Sequence, residues 1–304
     1  QATLLYENNY DGQLIAASLH SLALLHTGQK NEAYNILIQA AGLMNGDKAR
    51  TEEALIAYNL CVSRYYWESY ELSKALELSQ RIEKKIKVIT PEFLSSIKIE
   101  LYEYLGAIKN SKGDYKRAIQ YYKSAIAAAE KIPSENRNKA LFKFDYFKLG
   151  ELYQKTKKEY DALKLYRTIE KRKSEIYDNN EADDIELLYQ LGMVYSTIQE
   201  YDESTALLKE VTKRIKTLNK KAHRAANTNA RLAQVMIYKE KYKAAIQWNT
   251  QALKVWNNFL QVDDLGYIYE AYLNQGVLYQ KEDFAEDALS WYKMTVSGTE
   301  KDWK

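Results

Sequence analysis

Apolar residues along the chain recur at i, i+3, i+4 and i+7, in paired stretches separated by a short polar turn. Each pair predicts two amphipathic helices packed as a hairpin. The clearest copy is LYEYLGAIKNSKGDYKRAIQYYKSAI at 101–126. The pattern returns at 146–169, 187–211, 229–253 and 271–296, and near the start at 17–41 and 56–80. In the turn Ser111-Lys112-Gly113-Asp114, Gly113 tolerates positive φ and Asp114 can cap the next helix.

Each copy has a slot for a small residue in its first helix, occupied by Ser21, Cys61, Gly106, Gly150, Gly192, Ala233 and Gly276. A second slot, in the second helix, holds Ala33, Ser73, Ala118, Ala162, Ser204, Ala245 and Ala288. Small residues at facing positions let two backbones approach closely. Large ones such as Tyr122, Tyr166, Leu208 and Tyr292 are expected to fill the space to the neighbouring hairpin.

On these residues the chain resembles the tetratricopeptide repeat family. That family's Leu-Gly-x-x-Tyr stands here as Leu149-Gly150-x-x-Tyr153 and Leu191-Gly192-x-x-Tyr195, and its second-helix alanine as Ala118, Ala162 and Ala245. The resemblance implies an all-α, right-handed superhelical solenoid of about seven hairpins, read as one domain over 1–304. The hairpins fall at about 12–44, 51–87, 91–131, 134–177, 182–220, 221–259 and 263–297. Two departures stand out. The slots are about 40–45 positions apart where the standard repeat has 34. The family's inter-repeat proline is also missing. Instead Thr90-Pro91 reads as an N-cap and first turn, and Ser134 as a cap after Pro133.

In this family the first helices line a concave groove. The resemblance therefore places a protein or extended-peptide ligand against residues at fixed offsets from the slot: Asn59, Tyr65, Tyr66, Asn110, Glu151, Gln154, Gln190, Gln234, Tyr238 and Asn274. Asn and Gln carry donor and acceptor on one planar group and suit a peptide backbone. Asn59 and Asn274, placed at one shared offset, are the expected clamps, although an asparagine there can equally bond a neighbouring turn. Lys148 and Arg231 lie too far apart in repeat order to form the carboxylate clamp of the chaperone-binding members.

The long hairpins resemble the peptide-pheromone receptors of Gram-positive bacteria, the Rap, Rgg, NprR, PlcR and PrgX group. Similar arrays form sensor regions of Bacteroidetes-type membrane regulators. The expected function is a non-catalytic peptide- or protein-binding module, the ligand-binding or scaffolding part of a bacterial regulator. A pheromone-receptor domain and a periplasmic sensor region remain the alternatives.

Composition narrows this further. Two prolines and eleven glycines in 304 residues favour helix throughout. With 44 Lys+Arg against 41 Asp+Glu there is no basic excess, so no nucleic acid is expected on this domain. The most basic stretch, Lys209 to Arg224, reads as a solvated helix face, with Val211, Ile215 and Leu218 inward. No apolar run is long enough for a bilayer, so no membrane contact is expected. Glu181, Asp183 and Asp184, like Asp263-Asp264, read as the acidic start of a helix rather than a metal site.

Cys61, alone of its kind, reads as a buried thiol, and His20, His26 and His223 show no metal spacing. The 27 tyrosines read chiefly as packing residues. No phosphate loop, dinucleotide fingerprint, nucleophile elbow or zinc-protease motif occurs. Hence no enzyme activity, cofactor or metal is expected, and a homodimer is left open. The first residue is Gln, so a preceding segment is expected. The compartment is read as cytoplasmic, or periplasmic if that segment is a signal peptide.

Overall fold

A computed structural model describes residues 10–44, 50–85, 94–177, 180–215, 222–258 and 265–302. Among them the chain is helix and turn without strand. The seven hairpins are α1 (Tyr10–His26) with α2 (Lys30–Leu43), α3 (Glu52–Glu68) with α4 (Leu72–Lys85), α5 (Leu94–Ser111) with α6 (Tyr115–Ala129), and α7 (Lys139–Lys155) with α8 (Glu159–Lys171). After a short α9 (Lys173–Ile176) come α10 (Glu181–Thr197) with α11 (Tyr201–Ile215), α12 (Ala222–Tyr238) with α13 (Tyr242–Asn258), and α14 (Leu265–Lys281) with α15 (Ala285–Asp302). The chain divides into two compact units, Gln1–Leu152 and Tyr153–Lys304, with the division inside α7. Each unit is a tetratricopeptide-like array in which successive hairpins pack on one another.

All seven hairpins turn through the same backbone device. One residue after each first helix has positive φ: Gly28, Tyr70, Gly113, Lys157, Gln199, Glu240 and Asp283. Its N–H bonds the carbonyl three residues back, and the next N–H reaches the carbonyl five back. In the third hairpin these are Gly113 N to Asn110 O at 3.0 Å and Asp114 N to Lys109 O at 2.9 Å. The double bond satisfies carbonyls that a helix end would leave open. Five of the seven turn residues carry a side chain in a conformation that costs on the order of 1 kcal/mol. Only Gly28 and Gly113 avoid that cost.

The turn fixes the register of everything around it. The slot of the second helix lies five residues after the positive-φ residue, and that of the first helix seven before. Six hairpins agree with the slots read from the sequence; the second does not. There the turn residue is Tyr70, which places the slots at Ser63 and Ala75. Both are buried, whereas Ser73 is exposed. Ser63 Oγ donates to Ala75 O at 2.7 Å, matching Ser21 Oγ to Ala33 O at 3.1 Å in the first hairpin. In the fifth the tie is reversed, Ser204 Oγ to Gly192 O at 2.8 Å. Cys61 is buried one half-turn away, with Sγ 2.9 Å from Ser18 O.

Two further expectations are corrected. Tyr122, Leu208 and Tyr292 seat on the slot glycine of their own hairpin, and Leu208 also shares a core with Leu232 and Val235 of the next, as expected. A Cβ on Gly106 would lie 3.0 Å from the Tyr122 ring, on Gly192 2.9 Å from Leu208, and on Gly276 2.5 Å from Tyr292. The cap before α7 is Asn138, not Ser134: Asn138 Oδ1 accepts from Ala140 N at 3.1 Å and Leu141 N at 3.3 Å. Ser134 instead opens a single 3₁₀ turn, Ser134–Asn136. Because Ser63 holds the second slot, Asn59 and Asn274 do not share a repeat offset. The capping at Asp114 is as read, with Oδ1 accepting from Arg117 N at 3.2 Å. Thr90-Pro91, Leu218 and Asp263-Asp264 lie outside the described residues.

Within unit 1 the core between the second and third hairpins joins Ile56, Leu60, Ile82, Leu101, Tyr104 and Ile108. Tyr104 is wholly buried there, its hydroxyl 2.8 Å from Ser63 Oγ, so it is a packing residue. Unit 2 has a larger core of Ile185, Leu208, Val211, Leu232, Val235 and Leu278, and a second around Trp256.

Candidate functional site

The first helices of unit 2 carry a ladder of polar residues at repeating offsets from the slot. Two positions before it stand Gln190, Arg231 and Asn274; one turn earlier stand Glu186, Asn227 and Glu270. Gln154 Nε2 donates to Tyr166 Oη at 3.0 Å and to Gln190 Oε1 at 2.9 Å. Gln190 Nε2 donates in turn to Glu186 Oε1 at 2.9 Å. Arg224 pairs with Glu186 at 2.5 Å and lies 4.1 Å from the Tyr189 ring centre. Farther along α12, Arg231 Nη1 donates to Gln234 Oε1 at 2.7 Å and Gln234 Nε2 to Tyr238 Oη at 3.2 Å. Tyr238 stacks on Tyr201 at 5.5 Å.

Gln234 and Asn274 share a small pocket of about 30 Å³, walled also by Tyr189, Asn227, Arg231, Trp256 and Glu270. Two of its walls hold unpaired polar atoms: the Trp256 Nε1–H donor and the Asn227 Oδ1 acceptor. A group that both accepts and donates hydrogen bonds would satisfy both, and a peptide unit is such a group. The sequence reading found the Gln190–Asn274 rung and missed the Glu186–Asn227–Glu270 rung. Extending the offsets by four residues, one helical turn, would have reached it.

The candidates of unit 1 are more scattered. Tyr65 stacks on Tyr34 at 5.1 Å and lies 6.0 Å from Tyr66, which faces Lys74 Nζ at 5.0 Å. Tyr65 also packs on the buried Leu22, Leu37 and Cys61. Asn59 is half-buried. Glu151 is held by Lys148 at 2.9 Å. Asn110 Oδ1 is buried with no hydrogen-bond partner. In the fourth hairpin the residue at this offset is Gln154, which bonds Tyr166; in the seventh it is Gln280, which accepts from Tyr292 Oη at 2.8 Å. Asn110 is one methylene shorter than those glutamines.

Unit 1 also holds an acidic group that the sequence did not announce. Asp145 is 0% exposed, and neither carboxylate oxygen has a hydrogen-bond partner. Burial, with the nearby Glu103 charge adding, pushes its pKa up to about 9. Glu103 is itself raised by burial, against the pull of Arg64 at 3.8 Å. His26 sits 3.5 Å from Glu100, which raises the imidazole.

The remaining singled-out residues hold structure together. Burial raises the Cys61 thiol, which keeps it protonated. Asp184, near the start of α10, meets Lys173 at 2.9 Å and the Tyr177 hydroxyl at 2.7 Å. Its partial burial opposes ionisation, but these partners hold it below the usual carboxylate range. In the basic stretch Lys209 and Lys213 are exposed, Arg214 pairs with Glu210 at 2.7 Å, and Val211 and Ile215 are buried. Among the described residues, no group of three or more His, Cys, Asp or Glu is arranged to hold a metal, and no helix is long and apolar enough to cross a membrane.

These features define a tetratricopeptide-type helical repeat array of long hairpins. No protein-family model matches the sequence, and no curated protein is significantly similar to it. Solved structures share the fold at low identity. The apo form of RapI is 16% identical with a TM-score of 0.67, over 95% of this chain and 77% of that one. NprR in complex with its cognate peptide NprX is 16% identical with a TM-score of 0.62, over 95% of this chain and 78% of that one. BtubC from P. vanneervenii is 16% identical with a TM-score of 0.60, over 76% of this chain and 89% of that one.

Proposed function

We propose that this chain is a non-catalytic peptide-binding module, the ligand-binding part of a cytoplasmic regulatory protein, and that its peptide lies across the first helices of unit 2. The observation that carries this reading is a pocket walled by Trp256, Asn227, Asn274 and Gln234, in which Trp256 Nε1 and Asn227 Oδ1 are buried polar atoms without a hydrogen-bond partner. One peptide unit would give its carbonyl to Trp256 and its N–H to Asn227. Asn274, on the neighbouring rung, would hold the next unit. Tyr238 and Tyr201 add a stacked aromatic surface that costs little side-chain entropy to present. NprR, a structure of the same fold, is in complex with a peptide, which supports the choice of ligand class. Asn59, Tyr65, Tyr66, Asn110 and Glu151 have no comparable convergence, and we place them outside the principal contact.

Selection from a random heptapeptide library, followed by titration calorimetry of the enriched peptide, tests the reading. Asn274→Ala should weaken that peptide by about 5–150-fold, the equivalent of about 1–3 kcal/mol. Enrichment of no peptide, or equal binding by wild type and variant, would refute it.

A further inference from the structure

We propose that the outer face of the seventh hairpin is a docking surface for an amphipathic helix of a partner protein that carries an arginine or lysine near its start. Equivalent positions of the repeat differ in exposure. Three residues before the first-helix slot stand Ser18, Leu60, Glu103 and Tyr189 in the first, second, third and fifth hairpins, all buried; in the seventh stands Leu273, 46% exposed. Four after the second-helix slot stand Leu37, Ser79, Tyr122, Tyr166, Leu208 and Asn249 in the six preceding hairpins, all buried, whereas Tyr292 of the seventh is half-buried. Eight after that slot stand Ile126, Thr212 and Leu253 in the third, fifth and sixth, again buried, against Val296 at 57%. Leu289, 54% exposed, lies with Tyr292 and Val296 at i, i+3 and i+7 along α15. A closing repeat normally turns a polar face outward, and the seventh hairpin instead presents an apolar stripe.

In the preceding hairpins of unit 2 the cover is the first helix of the next hairpin. Leu208, Val211 and Ile215 of α11 share a core with Leu232, Val235 and Met236 of α12. Leu253 of α13 shares another with Ile268 and Ala271 of α14. The stripe on the seventh hairpin continues this interface, so it fits a helix with apolar residues at the same spacing.

Charge selects which helix. Glu186, six residues before its slot, is paired with Arg224, nine before the slot of the following hairpin. Glu270 holds the place of Glu186 in the seventh hairpin; it is exposed and, among the described residues, has no ion pair. A helix docked here as α12 docks on α11 brings the residue at the Arg224 place to Glu270. A second copy of this chain, stacked on in the same manner by its first hairpin, would bring Gly12 there. A second copy turned about a twofold axis would bring this face again, with its own Glu270. Neither sets a cation in the place that Arg224 holds, so the occupant is a different protein.

The probe is a synthetic peptide of this chain's own α12, Ala222–Tyr238, because α12 covers the equivalent face of the fifth hairpin. A hydrocarbon link between positions 227 and 231, which wall the groove pocket, keeps it helical. Fluorescence anisotropy of the labelled peptide against the whole chain should show saturable binding below about 100 µM. The same peptide with Arg224→Glu should bind about fivefold more weakly, and Glu270→Arg in the protein should reverse that preference. Leu273→Lys with Val296→Lys should abolish binding and leave Tm unchanged, since both side chains are exposed. No saturable binding, equal binding of the two peptides, or undiminished binding by the double lysine variant would overturn the proposal. Sedimentation velocity of the chain without peptide should show a monomer. A dimer that the double lysine variant dissolves would put a second copy on this face and overturn it equally.

Discussion

The two units use one hairpin and one turn, but they finish the faces of their first helices differently. In unit 2 the polar groups are mostly paired: Gln154, Tyr166, Gln190, Glu186 and Arg224 form one run. Of the unpaired buried atoms, Asn227 Oδ1 and Trp256 Nε1 belong to residues that wall one pocket, while Asn249 Oδ1 lies apart from it. In unit 1 the corresponding region holds unpaired acceptors, at Glu103, Asn110 and Asp145. A paired network fixes its side chains and leaves one place to be filled. Unpaired buried carboxylates carry a cost that a proton relieves. The two units thus leave different polar groups unmet, an N–H and an amide oxygen by one pocket in unit 2 and buried carboxyl oxygens in unit 1.

The largest test of this contrast is pH. Burial keeps Asp145 protonated in the folded chain up to about pH 9, whereas in the unfolded chain it ionises near the ordinary aspartate value of 3.8. The folded state therefore holds the extra proton between those limits, and stability falls as pH rises through them. Relaxation and water entry should limit the loss to about 2–4 kcal/mol. Thermal melts from pH 5 to 9 should show Tm dropping, and Asp145→Asn should flatten the curve. A wild-type Tm that rises over this window would remove the contrast.

A smaller effect comes from making unit 2 resemble unit 1. Gln190→Leu strips one partner each from Gln154 and Glu186, and should cost about 1 kcal/mol. Urea denaturation would read this, and an unchanged midpoint would mean the run adds nothing to stability. The smallest effect runs the other way. Asn110→Gln restores the reach that Gln154 and Gln280 have toward their tyrosines, so it should stabilise unit 1 by about 0.5–1 kcal/mol through a bond to Tyr122. Slower hydrogen exchange in α5 and α6 would confirm it, and faster exchange would contradict it.

Much of the fold was legible because its rules are local. Small residues at fixed intervals gave six of the seven registers, and Gly113-Asp114 gave the turn. The second hairpin was misread for a physical reason. Its turn residue is Tyr70, with no glycine to mark the positive φ, and small residues stand two apart at both slots, Cys61 with Ser63 and Ser73 with Ala75. Either frame looks right in the sequence; only the backbone conformation selects one. That slip carried Asn59 onto the offset of Asn274. The polar ladder of unit 2 was half visible, since its rungs repeat with the slots. Asp145 was not visible at all. A single acid in an amphipathic helix reads as a surface residue, and its burial depends on contacts from other hairpins.

The most direct measurement of the peptide-binding account is the indole N–H spectrum of ¹⁵N-tryptophan-labelled protein, titrated with the selected peptide. The chain has five tryptophans, and Trp256→Phe assigns the relevant signal. The account predicts that the Trp256 resonance moves downfield in step with binding, as its free N–H gains a carbonyl, and that Asn274→Ala shifts the titration to higher peptide concentration. A peptide that binds while the Trp256 resonance stays still would contradict it.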